Sequence, residues 1–150
     1  MEERYVVRFI RLFAVIVMTA SIAGCIFSSS TLTVIDAQKA RKFTDAYVED
    51  AMNGRQDALY AKMENEFRQI TSREKFGDVM RSIDDQFGRI INYTFDHDEI
   101  GAKRLFTGKT EATRKIVYQA TTTRGTYPLS VTVVENGNDL AVTDFLFRLN

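Results

Sequence analysis

The hydrophobic pattern of the chain changes character twice. From Leu12 to Gly24 it has no period: the run LFAVIVMTASIAG is uncharged and mostly apolar. Arg4, Arg8 and Arg11 stand before it and Cys25 closes it. From Asp36 to Phe87 apolar residues recur at three- and four-residue spacing, the mark of helices with one buried face. From Ile91 onward they alternate with polar residues, the mark of half-buried strands.

The helical part divides in three. Asp36 is the expected N-cap of the first helix. Ala37, Ala40, Phe43, Tyr47, Val48 and Ala51 form its apolar face, with Lys39, Lys42, Asp45 and Glu49 opposite. Asn53-Gly54 supplies the stop. The second helix is predicted from Gln56 to Ile70, with Leu59, Tyr60, Met63, Phe67 and Ile70 as its stripe. Thr71-Ser72-Arg73-Glu74 fits a capping box, Thr71 being the cap. The third helix carries Phe76, Val79, Met80, Ile83 and Phe87, and Gly88 closes it.

The alternating part predicts four strands. Ile91, Tyr93 and Phe95 share one face of the first, and Gly101 to Gly108 reads as a loop. Glu111–Thr123 is the second, with Ile116, Tyr118, Ala120 and Thr122 facing one way. Arg124-Gly125 turns the chain into Thr126–Val134, where Tyr127, Leu129, Val131 and Val133 share a face. Pro128 lacks an N–H, so it must sit at an edge, at a bulge, or with its missing donor turned from a neighbour. Asn136-Gly137 is a strong hairpin signal, and Leu140–Leu149 is the last strand. Three helices followed by four antiparallel strands define an α+β fold, with the helices gathered on one side of the sheet.

The apolar run changes the picture of where the domain resides. It has the length of a signal h-region and is short for a membrane span, which needs about 20 apolar residues. Ile22-Ala23-Gly24-Cys25 resembles the lipobox of bacterial lipoproteins: an aliphatic residue, two small residues, then cysteine. The resemblance implies diacylation of the Cys25 thiol, cleavage between Gly24 and Cys25, and acylation of the new amino terminus. Several acyl chains give a stable anchor where one does not. An uncleaved anchor fits less well, because Ser28, Ser29, Ser30, Thr31 and Thr33 make the following stretch polar. A buried structural thiol fits poorly with a position inside a signal sequence. Ile26 follows the cysteine, which by the same resemblance favours the outer membrane, facing the periplasm, in a Gram-negative cell. The expected organisation is a signal peptide over 1–24, a lipidated cysteine and tether over 25–35, and a domain over 36–150.

Charge narrows the partners. Basic and acidic residues balance at 20 each over 150 residues. Without Arg4, Arg8, Arg11, Glu2 and Glu3 the mature part holds 17 basic and 18 acidic residues. A nucleic-acid binder is far more basic. Apolar residues at 45% suffice for a packed core.

The element order resembles the nuclear-transport-factor-2-like (cystatin-like) fold, over roughly Asp36 to Asn150. The resemblance rests on a first helix ending in Asn53-Gly54, a helix start at Asp57-Ala58-Leu59-Tyr60, and long strands joined by short turns. It is similar in particular to small bacterial lipoproteins that carry this domain. It implies a curved sheet of about four strands around a long helix, with a cone-shaped cavity between them. Some members bind small apolar molecules there, some are isomerases or dehydratases, and many are interaction modules. Phe43, Tyr47, Met63, Phe76, Met80 and Tyr118 are the expected cavity lining.

Candidate chemistry is sparse. Asp96-His97-Asp98-Glu99 gathers the only histidine with three carboxylates. Regular strand geometry would turn His97 away from Asp96 and Asp98, against a shared metal or general-base site. Tyr47, Tyr60, Tyr93 and Tyr118 are placed to face a cavity, as core residues with hydroxyls at its rim. Lys103 and Arg104 beside Leu105-Phe106 form a loop able to meet lipid headgroups or a partner. No catalytic residue, metal site or cofactor is assigned.

The expected function is a non-catalytic binding or interaction domain on an envelope lipoprotein, held to the membrane through the Cys25 lipid. The alternatives are a carrier or sensor of a small apolar ligand and, third, an isomerase- or dehydratase-like enzyme. The partners are an envelope protein or a small apolar ligand, with no nucleic acid. The polar sheet positions Thr113, Lys115, Gln119 and Thr121 point to a monomer or a weak homodimer.

Overall fold

Lys39 gives the first sign that the helical part folds as its sequence suggests. Its backbone N–H is accepted by the Asp36 carboxylate at 2.7 Å, which satisfies an orphan donor at the start of α1 (Ala37–Met52). The computed structural model describes residues 33–105 and 108–149. The expected signal peptide, Gly24, Cys25 and most of the expected tether lie outside these residues. The tether's last residue is described and behaves otherwise. Ile35 is buried in the core, so the domain begins before Asp36.

After α1 come α2 (Gln56–Ala61), α3 (Asn65–Ile70) and α4 (Arg73–Phe87). They are followed by β1 (Ile90–Arg104), β2 (Thr110–Thr122), β3 (Gly125–Asn136) and β4 (Asp139–Phe147). The strands form one antiparallel sheet in the order β1-β2-β3-β4. This is the expected α+β class, with helices on one face of a four-stranded sheet. That face presents Ile116, Tyr118, Ala120, Leu129, Val131, Val133, Leu140 and Val142. Against it pack Ala40, Tyr47, Val48, Leu59, Met63, Phe76 and Met80. Gly137 takes the left-handed conformation (φ 65°) that the β3–β4 hairpin requires.

Three boundaries differ from the periodicity. The expected second helix is two helices, because Lys62-Met63-Glu64 leaves the helical path to join the sheet. Glu64 N–H donates to the Val142 carbonyl at 2.9 Å, and Val142 N–H donates to the Lys62 carbonyl at 2.8 Å. Met63 thus forms a parallel bridge to Val142. The break also throws Ile70 out of the predicted stripe, leaving it 61% exposed. The cap of α4 is Ser72 and not Thr71: Ser72 Oγ accepts from Lys75 N–H, while Thr71 ends α3. Finally, β1 runs through Gly101 to Arg104, where a loop was expected. It keeps pairing with β2 down to Arg104 opposite Thr110. A register irregularity between Ile90 and Asn92 leaves Ile91 exposed and Ile90 buried.

Pro128 lies inside β3, a central strand, opposite Gln119. Its carbonyl accepts Arg148 N–H at 2.9 Å, just past the last β3–β4 pair, Leu129 with Phe147. The missing donor therefore faces β4 at the end of the ladder, where it costs only the bond that would reciprocate the one from Arg148.

The helix break sets a direct test. Leu59→Ala removes a fully buried side chain and is expected to lower stability by about 2–4 kcal/mol. Ile70→Ala, at a position the helical spacing marks as core, is expected to change it by less than about 0.5 kcal/mol. Urea unfolding of the two variants checks both.

Candidate functional site

The richest polar constellation joins α1 to β1 and β2. Helical spacing puts Arg41, Thr44 and Asp45 on the turn of α1 that faces Tyr93, Phe95 and Tyr118. Tyr118 donates to Asp45 Oδ1 at 2.8 Å, and its oxygen lies 2.6 Å from Thr44 Oγ1. Tyr93 donates to the Asp45 carbonyl at 3.4 Å and meets Tyr118 edge-on. Arg41 lies 3.8 Å from Asp45 Oδ2, and its guanidinium sits 4.1 Å from the centre of the Phe95 ring. Above them a shallow hollow of about 480 Å³ is lined by Gln38, Arg41, Lys42, Asp45, Ala46 and Glu49.

An acid beside two tyrosines is the arrangement an enzyme reading needs, so its electrostatics matter. Burial pushes the Tyr118 hydroxyl far above the usual phenol range, against a smaller opposing effect of Thr44, and Asp45 adds to the rise. Tyr118 therefore stays protonated, and its proton is committed to Asp45. Tyr93 is raised too, first by burial and then by Asp45 and Glu49. The cluster reads as a set of hydrogen bonds that lock α1 onto the sheet.

The other tyrosines are tied in the same way. Tyr47 donates to Met63 Sδ at 3.2 Å, and burial, helped by Asp50, raises its hydroxyl. Tyr60 donates to the Thr71 carbonyl at 2.8 Å. A second shallow hollow, of about 420 Å³, is lined by Tyr60, Asn65, Arg68 and Gln69. Tyr47, Met63, Phe76, Met80 and Tyr118, expected to line a cavity, are buried members of the core, and Phe43 packs against it. None of the six lines either hollow.

The acidic stretch around His97 departs from regular strand geometry. A bulge between Phe95 and His97 brings Asp96 to the side of the histidine, contrary to the strict alternation expected. His97 Nδ1 lies 3.3 Å from Asp96 Oδ2, and Nε2 lies 3.1 Å from Glu99 Oε1. Asp98 points to the other face and pairs with Arg114. Hydrogen bonds from Lys115 and then His97 hold the Glu99 carboxyl below the usual range. Among the described residues no group of three or more His, Cys, Asp or Glu could hold a metal ion.

Several charged groups gain structural roles that periodicity alone did not assign. Asp50 is buried at the end of α1 and pairs with Lys62 at 2.6 Å and Arg55 at 3.1 Å. Arg114 occupies the helix-facing register of β2 beside Ile116, which strand parity marks as a charge on an apolar face. Lys103 pairs with Glu64, between α2 and α3, and with Glu66 in the first turn of α3, and so is no free loop cation. Phe106, its expected apolar neighbour, lies outside the described residues. Asp144 is the most perturbed acid among the described residues. Burial pushes it up to about 6 despite the Phe145 backbone N–H and the nearby cations Arg148, Lys115 and Lys103.

No protein-family model and no curated protein matches the chain. Among solved structures it is similar to Aln2 from a Streptomyces species, at 11% identity and a TM-score of 0.47. The match covers 77% of this chain and 93% of that one. No helix among the described residues is long and apolar enough to cross a membrane.

Two stability measurements follow. Tyr118→Phe strips Asp45 and Thr44 of their shared partner and is expected to destabilise the fold by about 1–2 kcal/mol in urea. For Asp144, the folded chain holds its proton between the usual aspartate range and about pH 6, where the unfolded chain has released it. Stability therefore falls as pH rises through that window, and the loss is complete above it. Asp144→Asn is expected to be more stable than the native chain by about 2 kcal/mol at pH 8. The advantage shrinks toward pH 4, which urea midpoints at the two pH values will read.

Proposed function

We propose that this chain is an envelope lipoprotein whose α+β domain, of the nuclear-transport-factor-2-like kind, binds a partner and carries out no reaction. The observation that carries the reading is the placement of Ile22-Ala23-Gly24-Cys25 at the end of an uncharged run behind three arginines. The signal peptide is removed before Cys25, and the acylated cysteine holds the domain at the membrane. In a Gram-negative cell that membrane is the outer one, with the domain in the periplasm.

Two features of the domain support binding over turnover. Each tyrosine near the seam or the core already has an internal acceptor. The residues suited to hold a small apolar ligand are packed into the core, and the two hollows are open and lined largely by polar or charged side chains. A ligand carrier would need that core to part. The interaction reading needs only the outer surface.

The anchor is tested by the intact mass of membrane-extracted protein beside a Cys25→Ser variant. The native protein is expected to lack residues 1–24 and to carry acyl chains, and the variant to keep its signal. A native protein that retains Met1 and carries no lipid overturns the assignment.

A further inference from the structure

The two edges of the sheet are finished differently. On β4 the chain between α2 and α3 hydrogen-bonds Val142 from outside. On β1 no described strand lies outside, although its residues from Thr94 to Ala102 are all exposed. A long bare edge offers unpaired backbone groups to another strand. Below the bulge, His97 to Arg104 pairs with β2 without interruption, so this part of β1 is regular.

The charges on that regular part have an order. Asp98-Glu99-Ile100-Gly101-Ala102-Lys103-Arg104 runs from two acids to two bases about a central glycine. We propose that two copies of the chain pair antiparallel through β1, with Gly101 opposite Gly101. In that register Asp98 meets Arg104 of the second copy, Glu99 meets Lys103 and Ile100 meets Ala102, each twice by symmetry. Opposed residues share a face, because the pairing keeps strand parity. No other same-face register sets all four charges against opposite ones.

The charge rows continue into the interior of the sheet. Glu99 is already 2.5 Å from Lys115 across β2, and Lys103 is registered with Glu111. Joining the edges gives Lys115, Glu99, then Lys103 and Glu111 of the second copy, a row of alternating sign. Ile100, 63% exposed in a single chain, gains an apolar neighbour in Ala102. Arg104, which has no ion pair among the described residues, gains Asp98. Gly101 is held to glycine by its own sheet, since a Cβ there would lie only 2.8 Å from Thr113 Oγ1. The proposal stands apart from the lipid anchor, because it uses only the domain.

Sedimentation of the full chain in mild detergent tests it with three variants. One carries Asp98→Lys with Glu99→Lys, one carries Lys103→Glu with Arg104→Glu, and one carries Arg104→Glu alone. The native chain is expected to be a dimer. Each double variant should weaken self-association at least about tenfold, because four attractive pairs become repulsive. An equimolar mixture of the two doubles should form a heterodimer, since their edges are complementary. Arg104→Glu, which breaks no described internal ion pair, should weaken the dimer, and at concentrations where both chains are monomeric its unfolding midpoint should equal that of the native chain. A native chain that stays monomeric, including one that instead takes up a strand of another protein, overturns the proposal. So does a dimer that withstands both reversals, or folded doubles that fail to associate when mixed.

Discussion

A strand at the side of a sheet must send its backbone donors and acceptors somewhere, and much of this architecture follows from how β4 does so. Val142 takes Lys62 and Glu64 as partners. To reach them, the chain gives up one continuous helix after α1 and becomes two short ones. The excursion buries Met63 where the Tyr47 hydroxyl can meet its sulfur, and it brings Lys62 to Asp50 at the end of α1. A few backbone hydrogen bonds thus set the seating of three helices.

This explains which parts of the fold were legible in the sequence. Within an element, burial follows period: Ile116, Tyr118, Ala120, Leu129, Val131 and Val133 alternate as read, and Ala40, Tyr47 and Val48 mark the buried face of α1. What period cannot carry is a long-range backbone demand. Nothing local to Lys62 announces that Val142, far along the chain, will claim it. The length of β1 was hidden for a similar reason, because Gly101 to Arg104 looks like the start of a loop until β2 is there to pair with it. The bulge that turns Asp96 toward His97 belongs to the ladder too.

The candidate site was half visible. Tyr93 and Tyr118 were marked as residues with polar tips, and Asp45 was assigned to the solvated side of α1. The structure joins them, because a residue on the flank of an amphipathic helix can lean either way, and a buried phenol supplies a reason to lean inward. The result is a seam whose polar atoms satisfy one another, beneath a surface that carries the remaining charge. Arg41 over Phe95 and the acidic and basic ends of β1 give that surface local character.

The bridge at Val142 also makes the two sides of the sheet unequal. A sheet with two bare sides can recruit neighbours without end, and that is the geometry of fibres. Here one side is already engaged by the chain's own Lys62–Glu64 turn. At Val142 a further strand finds the backbone N–H and C=O already taken. Strand addition is thereby disfavoured at that point of β4, which leaves the exposed border of β1 as the more open of the two sides.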